Sequence, residues 1–226
     1  MSSAPQPVIA VACGLPRPTW RGRIHTYAFL AAIPAAVILV LASNTALERI
    51  GVGIYWVSFA AVFGVSAAYH RLAITEKAQS IMRKADHATV FVKIAGTYTP
   101  ICLLALPRSW GIPILVTVWS IAAVGVLVKV LAPARFIRWS HPLYLAMGWV
   151  AIVALPTLAR SLSSIELTLL LIGGVVYSIG AILFWLRRPD PSPLTFGYHE
   201  VWHVMTVVAS AFHFGAIILV VTTTSA

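Results

Sequence analysis

Apolar residues in this chain come in long unbroken stretches, not in the alternating or every-third-and-fourth patterns of half-buried strands and surface helices. Seven such stretches stand out: 26–45, 51–70, 85–106, 111–132, 141–160, 165–186 and 198–221. Each reaches the roughly 20 apolar residues that a helix needs to cross a bilayer core about 30 Å thick. Backbone amides in hydrocarbon must be satisfied within their own segment, so stretches of this length are helices. The segments between them are short and hold most of the arginine, proline, serine and aspartate. The pattern predicts an all-α fold, a seven-transmembrane helix bundle over residues 25–222, with no room for a second folded domain. Residues 1–24 are proline-rich and basic, without the charged-then-apolar order of a cleavable signal peptide. They are expected to form a flexible cytoplasmic tail.

Composition sharpens this. The chain of 226 residues is 60% hydrophobic and only 10% charged, with a mean hydropathy of +0.91, too apolar for a soluble domain of this size. A net charge of +10 would suit a nucleic-acid partner, but its distribution argues against one. Arg17, Arg21 and Arg23 precede the first span; Arg71, Lys77, Arg83 and Lys84 lie between the second and third; Arg135 and Arg138 between the fourth and fifth; Arg187 and Arg188 between the sixth and seventh. The opposite loops hold only Arg49, Arg108 and Arg160, eleven against three. Positive charge stays cytoplasmic during insertion, so the N-terminus is expected inside and the C-terminus outside. Membrane lipids, anionic headgroups included, are then the expected partner, and nucleic acid is not. Cys13 and Cys102 are too few and too far apart to suggest a disulfide framework. Gly173, Gly174 and Gly180 in the sixth span predict close helix contact.

Ionisable residues inside spans are costly, and each raises the question of function. His70 ends the second span. Asp86 and His87 open the third, with Lys93 deeper, and Lys129 lies toward the end of the fourth. The seventh opens with His199, Glu200 and His203, and His213 sits midway along it. By the charge-derived topology, His70, Asp86, His199 and His203 all fall in the cytoplasmic half. His199 and His203 are four apart and share a helix face, which suits two imidazoles on one metal or two packing histidines. Ser66 and His70 share a face in the same way. Asp86 is either a metal-site carboxylate or a helix-terminal acid favoured by the dipole or by Arg83 and Lys84. Three histidines with one open position make the usual catalytic zinc site. Lys93 either pairs with a buried acid or headgroup or snorkels out of a lipid-facing position. His213 reads as a hydrogen-bonded core residue, and His25, His87 and His141 as interfacial ones.

The strings "SAAYH", "DHATVFVKIAGTYTP" and "GYHEVWHVMTVVASAFHF", in that order, resemble the three signature blocks of the hemolysin III proteins. These are the bacterial branch of the progestin and adiponectin receptor family, within a superfamily that includes alkaline ceramidases. The resemblance runs from about residue 20 to the C-terminus. It implies seven helices around a zinc site near the cytoplasmic face, with His70, His199 and His203 as ligands and with Asp86 and Ser66 holding the catalytic water. Gly96, Thr97 and Pro100 match the second block as structural residues. "HEVWH" also spells the zinc protease signature, yet no acid follows His203 to serve as a further ligand. Glu200 is therefore either a base near the metal water or a helix-terminal carboxylate near Arg187 or Arg188. The readings that follow are a zinc-dependent hydrolase of lipid amide or ester bonds acting in membrane lipid homeostasis, a membrane-state sensor or regulator with structural zinc, and a pore-forming channel or transporter.

Overall fold

The computed structural model describes residues 17–131 and 140–224, and among them there is no β-strand. Four long helices come first: α1 (Arg23–Ala42), α2 (Ala46–Leu72), α3 (Glu76–Leu104) and α4 (Arg108–Leu131). A broken fifth segment follows, made of α5 (Ser140–Gly148), a 3₁₀ stretch (Val150–Ala154) and α6 (Leu155–Ser161). Then come α7 (Ser164–Leu186) and α8 (Tyr198–Thr224). Six helical segments are long and apolar enough to cross a membrane; α3 falls outside this set by composition, not by length. Its first turns carry Glu76, Lys77, Arg83, Lys84 and Asp86, and Lys93 and a Thr-Tyr-Thr run dilute the rest.

Several helices begin well before the apolar stretches do, because their caps lie in polar sequence. Thr45 accepts the Glu48 amide while the Glu48 side chain reaches back to the Thr45 amide, and Ser163 and Glu166 repeat the exchange at α7. These reciprocal caps satisfy amides that have no partner inside the helix. Glu48, which falls between two of the apolar stretches, and Glu166, at the start of another, are thus buried first-turn residues. At α3 the Thr75 hydroxyl accepts the Ala78 amide, so the helix starts at Glu76 and not at 85.

The fifth stretch does not form the single helix over 141–160 that its hydrophobicity predicts. Tyr98 of α3 sits at the break: its hydroxyl donates to the Gly148 carbonyl at 2.8 Å and accepts the Ala151 amide at 2.9 Å. One side chain replaces the backbone bonds that the chain gives up on switching to 3₁₀ geometry. Pro156 then falls in the first turn of α6, where a missing N–H costs nothing. The side chain of His141 lies outside the described residues.

Sequential helices pack as neighbours, α2 on α3 and α7 on α8 most extensively, and α8 also meets α1 and α3. Small residues permit the close approaches. A Cβ on Gly173 would stand 2.3 Å from the His213 ring, and one on Gly180 would stand 2.8 Å from the Met205 Cβ, whereas Gly174 faces open space. The α7–α8 contact expected from this sequence is therefore carried by two of its three glycines. Walls from α2, α3, α5, α6, α7 and α8 enclose a largely apolar cavity of about 770 Å³. The histidines of α8 stand on its wall.

Candidate metal centre

His70 lies in the last turn of α2, and His199 and His203 in the first two turns of α8. Their ligand-capable nitrogens all lie within 4.8 Å of one another. His70 and His199 point their Nε2 atoms at each other at 3.2 Å. Two imidazoles on one tetrahedral zinc, each about 2.0–2.1 Å from it, would hold their nitrogens about 3.3 Å apart. The donor set thus fits the ion. A second observation agrees: the buried Nδ1 of His203 has no protein hydrogen-bond partner, so ordinary core bonds do not account for the ring.

Asp86 and Ser66 lie together. The Asp86 carboxylate faces the Ser66 hydroxyl across the α2–α3 interface. Both line the cavity that His199 and His203 also line. Lys129 of α4 lies within electrostatic reach of Asp86, while its Nζ is 3.2 Å from His87 Nδ1. His87 is therefore a bonded cavity residue, not the simple interfacial one expected.

His25 is the larger correction. Instead of lying at an interface it is buried, 4% exposed, and its ring stacks on His203 with centroids 3.7 Å apart and planes 13° from parallel. Thr206 fixes it: the hydroxyl donates to the His203 carbonyl at 2.8 Å and so accepts from His25 Nε2 at 3.0 Å. His25 thus clamps a candidate ligand from behind. The signal was present, an ionisable residue at a span boundary. The predicted first span, beginning at 26, left it just outside.

Glu200 is placed by the same end of the molecule. It is fully buried, accepts the Gly197 amide at 2.9 Å, and is ion-paired with Arg21. It neither points at the histidines' shared space nor meets Arg187 or Arg188. The glutamate in "HEVWH" acts as the carboxylate half of a helix-terminal cap. Asp190 completes that cap by accepting the Tyr198 amide at 2.9 Å.

Residues 17–22 are bound to the bundle, although the sequence suggests a loose tail through residue 24; residues 1–16 of that expected tail lie outside the described residues. The Arg17 guanidinium donates to the carbonyls of His70 and Ala73, closing the C-terminus of α2. The amides of Thr19 and Trp20 donate to the carbonyls of Leu194 and Thr195. Gly22 has a left-handed backbone, φ 79°, and a Cβ there would stand 2.8 Å from the His70 Cβ. Gly22→Ala is expected to cost about 1–2 kcal/mol for the backbone alone. The clash with His70 adds to that. Thermal melting in detergent should show a clear drop.

A family model described as "Haemolysin-III related" matches residues 13–214. The chain is 36% identical to "Hemolysin-3 homolog" of Bacillus subtilis (strain 168) over 191 residues, covering 83% of this chain and 86% of that protein. It is 32% identical to "Hemolysin-3" of Bacillus cereus over 205 residues, covering 89% and 90%. The human "Monocyte to macrophage differentiation factor" is 25% identical over 206 residues, covering 85% and 79%.

Proposed function

The chain belongs to the haemolysin-III-related family, and from that premise we propose that it is a zinc-dependent hydrolase of lipid amide or ester bonds in the bacterial inner membrane. It crosses the membrane seven times, α3 included, with the N-terminus cytoplasmic and the C-terminus outside. The observation that carries the reading is the grouping of His70, His199 and His203, two of which, His199 and His203, stand on the wall of an apolar cavity that Asp86 and Ser66 also line.

Bound by the three imidazoles, zinc would supply a Lewis acid and bring the pKa of a coordinated water down to about 7. The chain's own residues supply the rest. Asp86, which lines the same cavity as His199 and His203, is the carboxylate assigned to orient the attacking water and take its proton. Ser66 holds Asp86 in place. His25 and Thr206 hold the His203 ring, and the Arg21–Glu200 pair holds the start of α8 that carries both of its ligands. The largely apolar cavity, about 770 Å³, has room for an acyl-sized apolar body.

The test is product release from a defined mixture of amide- and ester-linked lipids, read by mass spectrometry, with purified protein and with or without chelator. Wild-type protein is expected to release product only with metal present. Asp86→Asn should lose about 10²–10⁴-fold in turnover while keeping its metal. Turnover in His203→Ala equal to wild type would sink the hydrolase reading. A lower melting temperature after metal removal, with no product in any condition, would leave the structural clamp of a membrane-state sensor as the function.

A further inference from the structure

The cavity contains a second polar cluster, separate from the histidines. Lys93 lies seven residues after Asp86, on the same face of α3 and about 10 Å further along it. It lines the cavity and is only 4% exposed, so its ammonium does not snorkel out to an interface. Its Nζ donates to Thr97 Oγ1 at 2.9 Å, and that hydroxyl spends its own hydrogen on the Lys93 carbonyl at 2.8 Å. The ammonium also sits 4.7 Å from the centroid of the Tyr55 ring and 5.4 Å from that of Phe59. Thr97 takes one of its three N–H bonds and aromatic faces offset part of its charge. Among the described residues no carboxylate forms an ion pair with it; the ion pair found there joins Arg21 to Glu200.

A buried cation without a counter-charge costs several kcal/mol. An anion entering the cavity would supply the missing counter-charge. One neighbouring donor is also to spare: the hydroxyl of Tyr55, whose ring the ammonium faces, is buried and unpartnered. His213, within electrostatic reach of Lys93, gives its Nε2 hydrogen to the Leu170 carbonyl at 3.3 Å, so its unpartnered Nδ1 is an acceptor and adds no bond to an anion. Around Lys93 and His213 the cavity is lined by side chains such as Val90, Ile94, Ile101 and Leu170. One cation within apolar walls selects a single negative charge carried on an alkyl body.

We propose that this part of the cavity is an anion-binding subsite for alkyl amphiphiles, with Lys93 as the recognising cation, distinct from the three-histidine centre. It takes a monoanion such as a carboxylate or a sulfate, with the alkyl chain along the apolar walls. Zinc is not needed for this binding, and neither is hydrolysis.

The test uses the full chain in a neutral detergent and three probes of equal chain length: an alkyl carboxylate, an alkyl sulfate and an alkyl alcohol. Wild-type protein should bind both anions about tenfold or more tightly than the alcohol, as expected for hydrogen bonds to a charged group. Chelation should leave that preference unchanged. Lys93→Met should reduce it to within about twofold, and Lys93→Arg should retain it. If Lys93→Met does not give folded protein, Lys93→Gln makes the same comparison. Equal binding of alcohol and anions by wild-type protein overturns the proposal. So does a preference that survives Lys93→Met but vanishes on chelation or in His203→Ala, since the anion would then sit on the metal.

Discussion

His203→Ala protein is expected to purify without bound zinc, where wild-type protein carries about one ion per chain, the stoichiometry of a single three-histidine site. Removing this residue leaves two of the three proposed ligands, His70 and His199, from different helices. Two imidazoles do not hold zinc against a chelator, and the loss should far exceed the 10–100-fold that follows loss of a supporting residue. The contrast with His25→Ala makes the test specific. His25 stacks on the ligand ring without belonging to the cluster, so its removal should weaken zinc within that smaller range. Stability should follow binding. At a free zinc concentration 1,000 times the dissociation constant, the ion adds about 4 kcal/mol to the folded state. Chelation should therefore lower the melting temperature of wild-type protein and leave that of His203→Ala unchanged. Equal shifts in the two proteins would place the metal elsewhere.

The sequence made the long-range arrangement legible wherever one side chain in a hydrophobic run was chemically out of place. His70, Asp86, His199 and His203 are costly where they stand, and a topology deduced from lysine and arginine alone puts them at one end. Helix termini were less legible, since capping depends on residues such as Thr45, Thr75 and Ser163 outside the apolar stretches. The break in the fifth segment was hidden because its cause lies in another helix: the Tyr98 hydroxyl that takes over its backbone bonds. His25 and the Arg21–Glu200 pair were missed for a related reason. Their partners are 181 and 179 positions away, so no local periodicity announces them: His25 meets Thr206 and Arg21 meets Glu200 only once α1 has packed on α8. The protease-like spelling around Glu200 misleads for the same reason. Spacing fixes which helix face a side chain leaves from, not which partner it finds.

Arg21→Ala is expected to destabilise the protein by about 3 kcal/mol or more, the usual cost of leaving a buried charge without its partner. The pair is asymmetric: the Glu200 side chain is fully buried, whereas that of Arg21 is 21% exposed. Removing the arginine strands a carboxylate that keeps only the Gly197 amide. Removing the charge on Glu200 instead leaves an arginine that still reaches water, so Glu200→Gln should cost clearly less. Detergent melting curves of the two variants give the ranking, and the reverse order would mean that the pair is not what neutralises Glu200. Salt should not mimic either substitution, because screening acts weakly on a buried pair. The consequence reaches the metal centre. Glu200 stands between His199 and His203 in the first turns of α8, and its cap and ion pair fix where that helix begins. Loss of Arg21 frees the start of the helix that carries two of the three proposed ligands. Arg21→Ala should therefore lower zinc affinity although Arg21 touches no ligand, by less than His203→Ala and in step with the loss of stability. A stable Arg21→Ala protein with wild-type zinc retention would show that the strap formed by residues 17–22 is not needed to organise the site.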